Sequence, residues 1–298
     1  MDWRQFVMHL GALNPDVVEE IFMRFGACSV TLSDAADDPI LEPGLGATPL
    51  WNNTQITGLF SPEADFEQLK LALQTELDLP VLPPNRVEEL ADREWEREWL
   101  KDFGPMSFGD RLWIYPTNSA VDRDDAIVVR LDPGLAFGTG THATTALCLE
   151  WLDGLPLDEA ALLDYGCGSG VLAIAGLKLG CHSALALDID PQAVIASRQN
   201  AIDNSVADRL TIISDPAEIN GVFDVVVANI LAGPLVEIAE SITLTLKGRG
   251  MLALSGILCE QAEGVMAAYE PWIDFDEPVF RAQDGQNWSR LTGQRRTV

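Results

Sequence analysis

Positive charge is scarce in this sequence. Across 298 residues, 19 Lys and Arg stand against 46 Asp and Glu, a net charge of −27. Nucleic acids and anionic membranes are repelled by such a chain, and no basic stripe of the kind those partners need is present. Basic proteins are attracted. The same acidity also serves solubility, so charge alone leaves both readings open. Histidine is scarcer still: His9, His142 and His182 are dispersed and give zinc no ligand cluster, so no metal is expected. The cysteines, Cys28, Cys148, Cys167, Cys181 and Cys259, contain no CxxC pair and lie mostly in apolar contexts. Reduced, buried thiols of a cytoplasmic protein are expected, not a disulfide framework. No window approaches the ~20 uncharged apolar residues that a membrane span requires. The start, "MDWRQFVMHLGAL", carries Asp2 early and lacks the sustained apolar run of a secretory signal.

At roughly 100–200 residues per domain, the length predicts two, and an apolar fraction of 47% provides for sizeable cores. Residues 1–90 alternate strand and helix patterns. "WRQFVMHL" is extended. "NPDVVEEIFMRFG" has Asn14 as cap, Pro15 at the first helical position and Gly26 to close. "ACSVTLSDA" and "NTQITGLF" are strand-like, "SPEADFEQLKLALQTEL" is a helix with Ser61 as cap, and "NRVEEL" is extended. The order β-α-β-β-α-β predicts a small ferredoxin-like α+β domain, its central loop "DDPILEPGLGATPLW" rich in Pro and Gly. A linker helix over 91–103 places Trp95 and Trp99 four apart on one face; packing explains that pair more simply than ligand contact.

Residues 104–298 form the second predicted domain. "ALLDYG", "GVLAIAGLKLG", "SALALDID", "PQAVIASRQNAID", "LTIIS", "FDVVVAN", "GPLVEIAESITLTL", "GMLALSGI" and "EQAEGVMAAY" alternate strand and helix. That pattern predicts an α/β, Rossmann-like fold with a mostly parallel sheet wrapped on both faces. "FDEPVFRAQ" and "NWSRLTGQ", joined by "DGQ", predict a terminal antiparallel hairpin.

"LLDYGCGSGVLAIAG" sets Gly166, Gly168 and Gly170 between a strand and its helix, where positive φ and close backbone approach to a ligand call for glycine. The dinucleotide fingerprint G-x-G-x-x-G would need a glycine where Val171 stands. Asp164, two residues before the loop, would repel a pyrophosphate but suits a ligand with a positive end. The next strand delivers Asp188, a carboxylate able to accept both hydroxyls of an adenosine ribose, with Ile189 beside it for a base. Asp215 can meet an adenine amino group, although the turn "SDPAE" accounts for it as well. Together these residues resemble the class I S-adenosylmethionine-dependent methyltransferases, over a stretch from about 160 to 292.

In "FDVVVANILAGPL" a strand buried on both faces delivers a neutral amide, Asn229, to the end of the sheet. Several amino-group methyltransferases carry Asn- or Asp-Pro-Pro-aromatic there. Here Asn229 is followed by Ile230, Leu231 and Ala232, with no aromatic lid, which is expected to leave room for amines that already carry methyl groups. "NILAGPL" together with "LDPGLAFGTGTHATT" resembles the ribosomal protein methyltransferase family PrmA, and the N-terminal domain and linker helix fit as well. The resemblance implies transfer of methyl groups from S-adenosylmethionine to lysine side chains and the N-terminal amine of the eleventh large-subunit ribosomal protein. It implies an N-terminal domain that holds the ribosomal protein and a C-terminal domain that transfers methyl groups. The acidity adds the expectation of a free, basic partner with no direct contact to nucleic acid or membrane, and a monomeric cytoplasmic enzyme is expected. The resemblance assigns cofactor contacts to Thr145, Gly166, Gly168, Asp188 and Asn229, and catalysis to Asn229.

The residues of "GLAFGTGTHATT" keep alternatives. Gly134, Gly138 and Gly140 make a pliable loop, on which Phe137 can close over a ligand. Thr141, Thr144 and Thr145 start a helix whose free N–H groups suit a carboxylate; equally, Thr141 is simply its N-cap and Thr145 a first-turn residue. His142 can orient substrate or accept a proton, or serve structure alone. Three rivals remain. An NAD-dependent oxidoreductase is opposed by Val171 and Asp164. A methyltransferase acting on RNA, another protein or a small amine shares the fold, and acidity disfavours RNA. A non-enzymatic module is opposed by the retention of Asp188 and Asn229.

Overall fold

The computed structural model describes residues 3–36, 50–90, 104–121, 123, 125–132 and 140–297. The linker helix expected over 91–103, with Trp95 and Trp99, lies outside the described residues, as does most of the Pro/Gly-rich loop before Trp51. The chain divides into two compact units, Met1–Trp95 and Glu96–Val298.

The first unit runs β1 (Trp3–His9), α1 (Pro15–Arg24), β2 (Ala27–Asp34), β3 (Thr54–Phe60), α2 (Phe66–Glu76) and β4 (Asn85–Leu90). Its sheet has the order β2-β3-β1-β4 with every neighbour antiparallel. Residues of β3 alternate strictly between buried and half-buried, which is the period-2 signature of a sheet with one covered face. That face meets Val18, Ile21 and Phe22 of α1 and Phe66, Leu69 and Leu73 of α2. Gly58 makes room for this packing, since a Cβ there would fall 2.6 Å from the Phe22 ring. The Asn14 side chain accepts the Asp16 N–H at 2.9 Å and starts α1 as expected. Ser61 does not cap α2. Asp65 does, accepting the N–H groups of Glu67 and Gln68, because the apolar period begins at Phe66 and a carboxylate beside it satisfies two first-turn donors at once.

The second unit opens with a small sheet that the sequence reading did not assign. β5 (Met106–Phe108), β6 (Leu112–Tyr115) and β7 (Ile127–Arg130) pair in that order, the first two antiparallel and the last two parallel. The main sheet contains β8 (Ala161–Tyr165), β9 (Ser183–Leu187), β10 (Leu210–Ile213), β11 (Phe223–Asn229), β12 (Leu246–Leu258), β13 (Ile273–Phe275), β14 (Val279–Gln283) and β15 (Gln286–Arg295). Its order is β10-β9-β8-β11-β12-β15-β13, with β14 on β15. The first five strands are parallel, and β13, β14 and β15 add the antiparallel edge. Asp284 and Gly285 turn the terminal hairpin with φ of 51° and 75°, the geometry an Asp-Gly pair favours.

Helices α3 (Ala143–Asp153), α4 (Val171–Leu179) and α5 (Pro191–Asp203) share one core with Val225 and Val227. Helices α6 (Ala232–Glu237), α7 (Ala239–Leu244) and α8 (Ala262–Tyr269) share the other with Val226 and Ala228. β11 is thus apolar from Val225 to Ala228 because both of its faces are covered there. The chain leaves β8 toward β9 and β10 on one side, then returns to β11 on the other. This reversal opens a crevice at the carboxyl ends of β8 and β11, where open α/β sheets bind ligands. Cys148, Cys167 and Cys181 are buried as expected, whereas Cys28 and Cys259 are exposed.

Candidate active site

A cavity of about 460 Å³ occupies this crevice. Gly166 and Gly168 of the glycine loop, Asp188 after β9 and Asn229 at the end of β11 all line it, with Tyr165 and Ile230 between them. The structure therefore brings together four of the five residues singled out from the sequence. The apolar remainder of the wall, Leu187, Leu231, Pro234 and Ile238 among it, had no polar signature to mark it in the sequence.

Gly166, Gly168 and Gly170 have φ of 78°, 53° and 77°, a conformation costly for any residue with a Cβ. The loop spends its donors internally. Gly166 and Cys167 give their N–H groups to the Leu187 carbonyl at 2.8 and 2.9 Å, and Gly170 gives its own to Cys167. Gly168 donates to Asp188 Oδ2 at 2.8 Å. From α5, the Ser197 hydroxyl donates to the Gly168 carbonyl at 2.7 Å and Asn200 to that of Ser169 at 2.8 Å. A loop whose amides are committed in this way does not present the row of free N–H groups that a pyrophosphate requires, which disfavours the dinucleotide reading.

Asp188 is half-buried. Its second oxygen accepts the Asp190 N–H at 2.9 Å, so the carboxylate is fixed at both oxygens and each retains a lone pair for a ligand hydroxyl. Ile189 beside it is 77% exposed and forms part of the cavity mouth. Asp215 caps the turn Pro216–Glu218 by accepting the Ala217 N–H; Pro216, not Asp215, is in the wall. Asp164 is fully buried behind the loop. One oxygen accepts the Ala173 N–H in the first turn of α4 at 3.0 Å, doing the work that the capping Gly170 has no side chain to do. The other oxygen has no hydrogen-bond partner. Burial pushes this carboxyl up to about 7, with the Asp188 charge adding to the effect.

Asn229 Nδ2 donates to the Thr145 hydroxyl at 3.2 Å. Its Oδ1 is buried without a partner, and an orphaned buried acceptor is a costly feature in a folded chain. Thr145 itself is fully buried in the first turn of α3 and reaches the cavity through Asn229. The cap of α3 is His142, not Thr141. Its Nδ1 accepts the Thr144 N–H and lies 2.8 Å from the Thr144 hydroxyl, and its ring meets Trp288 edge-on with centroids 4.7 Å apart. Burial lowers the His142 pKa, which keeps the ring neutral and able to accept. Gln283 from the terminal hairpin takes the Ala143 N–H. Two of the first-turn donors expected to be free for a carboxylate are thus already used. Gly134, Phe137 and Gly138 lie outside the described residues. Ala232 is buried in the second core and is not among the residues that line the cavity.

Residues 2–296 match the family model described as ribosomal protein L11 methyltransferase (PrmA). The chain belongs to this family. It is 49% identical over 299 residues to a ribosomal protein L11 methyltransferase of Pseudomonas aeruginosa, covering 99% of both chains. It is 48% identical over 295 residues to one of Mannheimia succiniciproducens, again covering 99% of both. The crystal structure of a ribosomal protein L11 methylase from Lactobacillus delbrueckii subsp. bulgaricus superposes with a TM-score of 0.59 at 32% identity, over 65% of this chain and all of that one. The chain is accordingly a methyltransferase, and its methyl donor is S-adenosylmethionine. The cavity fits such a donor: a fixed carboxylate for a ribose, a glycine loop that admits close approach, and apolar walls. Among the described residues, no group of His, Cys, Asp and Glu could hold a metal ion, and no helix is long and apolar enough to cross a membrane.

Proposed function

We propose that this chain methylates lysine side chains and the N-terminal amine of ribosomal protein L11, with Asn229 as the residue that presents the amine. Asn229 lines the cavity, and its buried Oδ1 has no partner; that combination carries the reading. Asp188, Gly166 and Gly168 hold the donor, and Thr145 holds Asn229. When bound, the donor supplies an electrophilic methyl group on a positively charged sulfur.

A lysine in water has a pKa of about 10.4, and only the neutral amine has a lone pair to offer. Ile230, Leu231 and Pro234 present an apolar surface to it, which disfavours the ammonium form. Asn229 Oδ1 accepts one amine hydrogen and so directs the lone pair, without the full negative charge that would favour the protonated form. The Nδ2 bond to Thr145 commits that nitrogen and leaves Oδ1 as the amide atom without a partner. Alignment of this kind can be worth ~7–11 kcal/mol, so a dedicated strong base is not needed. Asp188 is the only carboxylate among the described wall residues, and both its oxygens already accept backbone donors.

The acceptor is the free ribosomal protein, and the enzyme acts as a monomer in the cytoplasm. A net charge of −27 favours encounter with a basic protein over nucleic acid, and the first unit is the part that holds it. Incubation with labelled S-adenosylmethionine and a purified mixture of large-subunit ribosomal proteins and RNA tests this directly. Label confined to L11, at lysine and N-terminal nitrogens by mass spectrometry, is expected; label in RNA or in no protein would overturn it.

A further inference from the structure

The donor loop and Asn229 belong to different strands, β8 and β11, and the side chain that joins them is apolar. A Cβ at Gly166, in the donor loop, would lie 2.3 Å from Ile230 Cγ2. On the other side stands Gly256 of β12, with φ of 85°. A Cβ there would lie 2.3 Å from the Ile230 carbonyl oxygen, 2.7 Å from its carbonyl carbon and 3.0 Å from its nitrogen. The first clash involves side-chain atoms, the second only backbone, and no rotamer change relieves the second.

Gly256 owes its place to an irregularity in the sheet. Pairing of β12 with β15 shifts register between Leu254 and Ile257, a setting in which glycine allows a close backbone approach. Within the shifted stretch, Ser255 stands opposite Asn229 on the β11 side. It is fully buried and donates to the Ser289 carbonyl at 2.9 Å, so this end of β12 is anchored. We infer that Ile230 is a positioning residue, seated between Gly166 and Gly256, and that this seat sets the distance from the donor loop to Asn229. The inference rests on the function proposed above. It gives Gly166 a spacing role beside its place in the donor loop, and it adds Gly256, Ile230 and the β12 irregularity to the parts on which methyl transfer depends.

A set of single and double variants decides it, read as kcat on L11, KM for L11, affinity for S-adenosylhomocysteine and thermal midpoint. Ile230→Ala is expected to lower kcat on the order of ten- to a hundred-fold, the loss typical of a displacement near 1 Å, while product affinity stays within a few-fold. Gly166→Ala is expected to lose activity and to regain part of it in the Gly166→Ala/Ile230→Ala double variant, where the clashing methyl is gone. Gly256→Ala is expected to lose activity that Ile230→Ala does not restore, because the clashing backbone atoms remain. Wild-type kcat in Ile230→Ala would overturn the inference, and it can be read even where neither glycine variant folds. Absence of S-adenosylhomocysteine binding by the unmodified chain would overturn the functional reading and this inference together. Binding and turnover without the expected variant pattern would overturn this inference alone.

Discussion

The side-chain amide of Asn229 donates to the Thr145 hydroxyl across 3.2 Å, although 84 residues separate the two in the chain. One sits at the end of β11 and the other in the first turn of α3, and the bond leaves Asn229 Oδ1 as the atom without a partner. Thr145→Val keeps the shape and removes the acceptor, stranding a buried N–H at a cost of about 1–3 kcal/mol. Activity is expected to fall roughly ten-fold or more through kcat, with donor affinity little changed, and Thr145→Ser is expected to retain it. Calorimetric titration with S-adenosylhomocysteine alongside steady-state kinetics checks this. A loss confined to donor affinity would instead make Thr145 a direct donor contact.

Asp188 organises the loop, and in the proposed function it also holds the donor. Its two oxygens accept from Gly168 and Asp190, and charge-assisted bonds to ribose hydroxyls would add to these. Asp188→Ala is expected to abolish measurable donor binding. Asp188→Asn must turn an NH2 toward one of the two backbone donors, and is expected to weaken binding by about a hundred-fold, near one hydrogen bond to a charged group. Titration showing wild-type affinity in Asp188→Asn would remove Asp188 from the donor site.

The strand-helix alternation of the second unit, its terminal hairpin and the cavity corners at Gly166, Gly168, Asp188 and Asn229 were legible because each has a local signature. Buried strands are short apolar runs bounded by turn residues, helices are longer segments, and glycines stand where φ is positive. What escaped had no local signature. β5, β6 and β7 are three or four residues long, too short to establish a period. The cap of α3 fell to His142 because Gln283 and Trp288, some 140 residues away, fix the first turn. Ala232 looked like a cavity position by its place in a motif, yet it faces the core. Gly256 sits inside a strand pattern, and only the packing of Ile230 against it reveals why a side chain is not tolerated there.

Asp164 makes stability depend on pH in a direction opposite to that of a paired carboxylate. Burial holds its folded-state pKa at about 7, against about 3.9 in an unfolded chain. The folded state therefore binds the extra proton between those values. The contribution is fully present below about pH 3.9 and is lost as pH rises through about 7. Asp164→Asn keeps an acceptor for the Ala173 N–H and removes the titration. Urea midpoints from pH 5 to 8 are expected to fall more steeply for the unmodified chain than for the variant. Parallel curves would show that the buried carboxyl is already ionised.

His142 works the other way. Its Nδ1 caps α3 only when the ring is neutral, and burial, the larger influence, lowers its pKa while the Asp284 charge opposes the shift. The folded state then binds fewer protons than the unfolded one, so the cap's contribution is present above about pH 6.5 and is lost as pH falls below it. Because α3 carries Thr145, loss of the cap loosens the partner of Asn229 as well as the helix. His142→Asn supplies a capping oxygen that does not titrate and is expected to flatten the acid limb of the stability curve at little cost. His142→Ala is expected to cost about 1 kcal/mol at pH 8, the usual worth of an N-cap, and to flatten the same limb. If His142→Asn keeps the wild-type acid limb, the proton that matters below pH 6.5 is bound elsewhere, and the neutral-cap assignment fails.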